Sequence, residues 1–104
     1  MYAEFNNLRA TNWRRYERNT LRGFCDLNLA CGLTIKDCAL QQQNGREWIG
    51  LPGKPLVDED GKHRIDPGTG RKLYAPVVEI GKEERSGFQR EALKAVHQLL
   101  LVSP

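Results

Sequence analysis

Between Arg9 and Arg22 the chain carries five arginines, Arg9, Arg14, Arg15, Arg18 and Arg22, against one acid, Glu17, a local excess of 5 − 1 = +4. The full 104 residues hold 16 basic and 13 acidic side chains, so 16 − 13 = +3, and the rest of the chain is close to neutral. Guanidinium forks match phosphate oxygens and stay charged at any working pH. Arg14, Arg15, Arg18 and Arg22 therefore point to a polyanion, and Lys54 with Arg71 and Lys72 would extend the same positive surface. Arginines on an exposed edge strand also discourage unwanted strand pairing, and the pattern alone does not separate the two uses.

Catalysis needs groups that converge, and few are offered. The chain has no GxSxG elbow, HExxH pair, Walker loop or GxGxxG turn. Asp58, Glu59 and Asp60 are chain neighbours, which reads as solvated loop charge rather than an acid and base pair. Gly68-Thr69-Gly70 lacks the strand before it and the helix after it that would aim amides at a phosphate, so it reads as a flexible turn. Cys25, Cys31 and Cys38 are odd in number and form no CxxC pair. They are expected to be reduced, buried, small apolar side chains rather than a disulfide or zinc framework. His63 and His97 complete no closed ligand set, and His97 reads as a surface residue of a helix with no partner nearby. The expectation is a non-enzyme with no cofactor and no metal.

The elements that would position these residues follow from periodicity. Residues 4–16 alternate loosely around Phe5, Leu8, Trp13 and Tyr16 and predict one strand, straight or bent. In 21–29, Leu21, Gly23, Cys25, Leu27 and Leu29 take every second place, the mark of a half-buried strand. Leu33, Ile35, Cys38 and Leu40 repeat the pattern with a one-residue slip near Asp37, which predicts a bulge. Asn44-Gly45 favours the positive φ angles of a tight primed turn, so 33–42 should fold back on 46–51. Residues 52–72, with Pro52, Pro55, Pro67 and four glycines, predict an extended loop without a ladder, with a small hairpin at Asp60-Gly61. Tyr74–Ile80 returns as a strand. From about 82 to 101, Phe88, Ala92, Ala95, Val96 and Leu99 share a face at helical spacing, so an amphipathic helix should cover the sheet against Leu27, Leu29, Ile35 and Leu40. The expected fold class is α+β, a small antiparallel sheet of four to five strands with one C-terminal helix. It forms a single domain overall, with an Arg-rich strand or arm over 1–19 ahead of the main body over 20–104. Hydrophobic residues at 39% and charged residues at 28% exclude a disordered or fibrous chain. No apolar run approaches the roughly 18 residues of a membrane span, and the N-terminus lacks the order of a signal peptide, so no membrane partner and a cytoplasmic location are expected.

The succession GFCDLNLACGLTIKDCALQQQNGREWIGLPGKP, a Gly-containing variable loop, YAPVVEI and RSGFQREALKAV resembles the stage V sporulation protein G (SpoVG, septation regulator) family over about residues 20–100. The matching positions are Lys36-Asp37, Asn44-Gly45, Leu51-Pro52-Gly53-Lys54, Pro76-Val77, and Phe88-Gln89 with Ala92-Leu93. Leu51 and Gly53 stand where the family motif has Met and Ser, and Pro55 replaces its second basic residue. The resemblance implies an antiparallel sheet with a C-terminal helix, a homodimer built through strand edges, no cofactor, and binding to DNA ahead of RNA. It also marks Lys54 as a nucleic-acid contact.

The leading expectation is thus a homodimeric DNA-binding regulator whose contacts to the phosphate backbone come from Arg14, Arg15, Arg18, Arg22, Lys54, Arg71 and Lys72. Two alternatives remain open at this point. One is a non-catalytic adaptor that captures a protein through an open strand edge. The other, ranked below duplex binding, is a single-strand binder like the Whirly transcription cofactors, with Trp13, Tyr16, Trp48 and Tyr74 as stacking faces.

Overall fold

The period-two stretch after Thr20 forms the centre of the molecule. A computed structural model describes residues 5–102, so the first four residues of the expected N-terminal arm lie outside the described residues. Four strands, β1 (Arg9–Arg18), β2 (Leu21–Asn28), β3 (Thr34–Gln43) and β4 (Arg46–Gly50), form one antiparallel sheet in that order. Two short strands, β5 (Gly53–Pro55) and β6 (Tyr74–Pro76), form a second antiparallel sheet, and α1 (Arg85–Val102) closes the chain after a single 3-10 turn at Lys82–Glu84. This is the expected α+β arrangement.

Alternation decides which face of the sheet is buried. Cys25 and Leu27 of β2 pair with Cys38 and Ile35 of β3, Leu40 pairs with Ile49 of β4, and all six are buried. Onto this inner face α1 lays Phe88, Ala92, Ala95 and Val96, also buried, with Leu99 packed at the margin. The helix therefore covers the sheet of its own chain, against Leu27, Ile35 and Leu40, with Leu29 partly buried beside them. Gly23 is in the buried row because the indole of Trp13 occupies its side-chain space: an added Cβ would lie 2.5 Å from the ring. Burial pushes the Cys25 thiol up to about 11 and the Cys38 thiol up to about 12, with the neighbouring Asp26 carboxylate adding to both. Both are structural thiols held in the unreactive protonated form.

Turn chemistry follows the sequence closely. Asn44 (φ 52°) and Gly45 (φ 80°) both take positive φ between the paired Gln43 and Arg46, as a primed two-residue hairpin requires. The slip at Asp37 is a bulge: Cys25 faces Cys38, but the next pair is Leu27 with Ile35, and Asp37 itself sits at φ 60°.

Several expectations are corrected. The first strand starts at Arg9, not residue 4, because Asn7 turns the chain at φ 63° and Phe5 instead packs edge-on against Phe88, ring centroids 5.5 Å apart. The strand after the loop ends at Pro76, since Val78 and Ile80 pack against the core margin in place of extending a ladder. Cys31 is exposed, in the turn before β3. His97 is on the surface but has a partner, its Nε2 lying 2.9 Å from Glu47 Oε1.

The largest correction concerns 52–72, which does sustain ladders. Lys54 pairs with Ala75 and Pro55 with Tyr74, and two further bridges, Val57 with His63 and Ile65 with Lys72, begin two more hairpins. The three hairpins meet in a ring of backbone bonds: Leu56 N–H donates to Leu73 C=O, Leu73 N–H to Arg64 C=O, and Arg64 N–H to Leu56 C=O, at 2.9–3.0 Å. Gly61 (φ 80°) and Gly70 (φ 73°) supply the left-handed residues at the two tips. The Asp58 carboxylate accepts the N–H groups of Asp60 and Lys62, and the Asp66 carboxylate those of Gly68 and Thr69. The expected small hairpin at Asp60-Gly61 is one of these three.

Candidate nucleic-acid interface

Among the described residues, the outer face of the four-stranded sheet carries no helix. Paired residues on neighbouring strands share a face, so the register places Arg14 beside Phe24 and Ala39, and Arg18 beside Leu21 and Gln41, on this outer side. Arg15 pairs with Gly23 and so belongs to the helix side. On the ribbon of β5 and β6, Lys54 and Ala75 lie on the opposite face from Tyr74 and Pro76. The seven expected cations are therefore not one strip.

Their chemistry also differs. Arg14 Nη2 lies 3.4 Å from Asp26 Oδ1 and 3.0 Å from Asp37 Oδ1. Arg15 is paired with Glu17. Arg22 donates to the carbonyls of Asn19 at 2.8 Å and Leu21 at 3.1 Å, closing the turn between β1 and β2. By contrast, among the described residues the side chains of Arg18, Lys54, Arg71 and Lys72 have no hydrogen-bond or ion-pair partner, and all four are exposed.

Asp26, which alternation marked only as a polar gap in β2, is the buried polar residue that organises this face. Its carboxylate accepts from Asn12 Nδ2 at 3.3 Å, Arg14 Nη2 at 3.4 Å and the Asp37 N–H at 3.2 Å. Burial alone would raise its pKa. The Asp37 N–H, the Asn12 amide and the charges of Arg14 and Lys36 outweigh burial and hold the carboxyl below its usual value. Asn12 and Asp37 are the left-handed residues of bulges in the two strands flanking β2. One buried acid thus ties two bulges together and orients Arg14. The hint in the sequence was the pair of residue types that tolerate left-handed backbone, Asn12 and Asp37, on either side of an acid.

Tyr16 and Phe24 pack on the outer face with ring centroids 6.2 Å apart. Tyr16 is 52% exposed and Tyr74 55%. Trp48 pairs with Gln41 and so shares this face, whereas Trp13 is withdrawn onto Gly23. Between the outer face and the root of the ribbon runs an open groove of about 650 Å³ with Leu21, Phe24, Ala39, Leu51 and Tyr74 among its lining.

The sheet edges matter for partners. Ile49 of edge strand β4 directs its N–H and C=O away from β3, and the side-chain amide of Gln89 takes both, Oε1 accepting at 2.7 Å and Nε2 donating at 2.8 Å. The other edge, β1, has register shifts at Asn12-Trp13 and at Tyr16-Glu17. Among the described residues no group of three or more His, Cys, Asp or Glu could hold a metal ion, and no helix is long and apolar enough to cross a membrane. Comparison with known proteins finds no family model, no curated protein and no solved structure that matches this chain.

Proposed function

We propose that the protein is a non-catalytic nucleic-acid-binding regulator that acts as a homodimer in the cytoplasm and grips DNA through its phosphates. The observation that carries this reading is that four of the seven expected cations are exposed and have no carboxylate partner among the described residues, Arg18 beside the outer face and Lys54, Arg71 and Lys72 on the ribbon. Arg14, Arg15 and Arg22 are reassigned. Their charges are spent on Asp26 and Asp37, on Glu17 and on backbone carbonyls, so they shape the scaffold that displays the other four. The resemblance to the stage V sporulation protein G family supports the same reading, with Lys54 at the position it marks. A dimer would present two such sets and raise a modest affinity by avidity. The adaptor alternative, capture of a partner strand at an open edge, is disfavoured at β4 by the Gln89 amide seated on Ile49.

The test is a titration of fluorescently labelled DNA at two salt concentrations with wild type and with Arg18→Glu/Lys72→Glu. Tight binding at low salt that weakens steeply as salt rises, and that the double variant loses, is the expected result. No binding, or affinity indifferent to salt, would sink the proposal.

A further inference from the structure

The sheet face opposite α1 has a feature that phosphate contact alone does not use. Large aromatic rings left in water forgo burial, yet Tyr16 and Tyr74 are both about half exposed; Phe24 and Tyr74 line the groove, and Tyr16 stands beside it against Phe24, ring centroids 6.2 Å apart. Each tyrosine presents part of a flat ring to solvent from a strand, Tyr16 from β1 and Tyr74 from β6. In a duplex the faces of the bases are stacked on one another and closed to such rings. An unpaired nucleobase offers an open π-face, and stacking of this kind tolerates any sequence. We infer, resting on the nucleic-acid reading above, that the ligand is single-stranded and that its bases enter the groove between the outer face and the ribbon to stack on Phe24 and Tyr74, with a further base on Tyr16 at its margin. Duplex, which the sequence favoured, has no use for this face.

Among the described residues, the one charged side chain in the groove's lining is Asp37, so the phosphates of a bound strand would lie outside the groove, toward the cations at its ends. Arg18 stands at the end of the face without an ion pair, ready for a phosphate. Asp37 would repel the strand were its charge not met by Arg14, whose Nη2 holds Oδ1 at 3.0 Å. That contact leaves Oδ2 without a partner among the described residues, on a carboxylate whose side chain is 66% exposed and lines the groove. A carboxylate oxygen accepts from an exocyclic amino group, as on cytosine N4, and is repelled by the O4 carbonyl that thymine presents in the same place. Asp37 therefore selects amino-bearing bases, and Arg14 is its positioning residue.

Fluorescence anisotropy of labelled dC12, dT12 and a 12-bp mixed duplex at pH 7.5 tests this with wild type, Tyr16→Ala, Tyr74→Ala and Asp37→Asn. Both tyrosines are solvent-facing, and Asn tolerates the left-handed backbone at 37, so the variants keep the fold, with circular dichroism as the check. The single strands should bind at least tenfold tighter than duplex. Each tyrosine variant should weaken dC12 by about fivefold to a hundredfold, the range that base stacking spans by alanine substitution. Wild type should prefer dC12 over dT12, and Asp37→Asn should bring the two together. Duplex binding as tight as dC12, or tyrosine variants that bind dC12 like wild type, overturns the stacking inference while the phosphate reading stands. A tyrosine variant that instead splits a dimer, seen by light scattering, gives the face to a second copy and likewise overturns it. Failure of every probe removes both proposals.

Discussion

A carboxylate taken out of water persists only where donors replace its hydration, and Asp26 has three, from Asn12, Arg14 and the Asp37 backbone. Because its folded pKa is lowered, the charged form is the one the fold favours. The stabilisation is complete above the unfolded value of about 3.9 and is lost as pH falls through the lower folded value. Urea unfolding should thus show wild type losing stability below about pH 4, and Asp26→Asn should show a flatter acid limb. An Asn variant as acid-sensitive as wild type would shift the linkage to other carboxylates. At pH 7, Asp26→Ala should cost about 1–3 kcal/mol because the Asp37 N–H, the Asn12 amide and the Arg14 guanidinium lose their charged acceptor. Nothing in the periodicity of β2 announced this role, since Asp26 occupies an ordinary polar slot between Cys25 and Leu27. Its partners come together only through the positive-φ backbone of Asn12 and Asp37, and of the two bulges only the one at Asp37 left a visible slip in the pattern.

At the scale of elements, what the sequence made legible was whatever local chemistry decides. The row of Cys25, Leu27, Ile35, Cys38 and Leu40, the Asn44-Gly45 turn and the face of α1 all depend on neighbours a few residues away, and all are found in place. The ribbon was illegible for the converse reason. Its ring of three hairpins rests on Leu56, Arg64 and Leu73 bonding across the chain, while Pro55 and the glycines argue locally for loop. Packing gives one prediction here. Phe88 is about 1% exposed and touches Phe5, so Phe88→Ala should lower the stability of the fold by about 3–5 kcal/mol. A loss near zero in chemical denaturation would mean that α1 leaves its own sheet in solution. Edge protection gives another. Gln89→Leu keeps the volume but strands the Ile49 N–H and C=O, a cost of about 1–3 kcal/mol. It also opens β4 to strand addition, so light scattering should show mass growing with concentration in the variant and not in wild type. Equal behaviour of the two would mean that segment 77–80 shields β4 without Gln89.

For the whole molecule, the question is how many charges the protein lends to a strand, and salt dependence counts them. The sequence named seven cations but could not see that carboxylates and carbonyls claim Arg14, Arg15 and Arg22: the bulges bring Asp26 and Asp37 within reach of Arg14, and Arg15 and Arg22 are taken by Glu17 and by turn carbonyls through side-chain conformations that periodicity does not report. Four remain per chain. If Arg18, Lys54, Arg71 and Lys72 each neutralise one phosphate of a single strand, a plot of log K against log salt should have a slope of about −2.8 per chain, at about −0.7 per contact. All seven would give about −4.9 on the same scale. The two values are far enough apart for an anisotropy titration between 50 and 200 mM salt to separate them. Removing one contact with Lys72→Ala should flatten the slope by about 0.7, whereas Arg15→Ala should leave it unchanged, since Glu17 already holds that guanidinium. A dimer engaging one strand with both sets doubles the slope, so the mass measured in the same buffer fixes the count per chain. A slope near the larger figure, with Arg15→Ala flattening it as much as Lys72→Ala, would mean that the ion pairs on β1 open when the strand arrives, returning Arg14 and Arg15 to the interface.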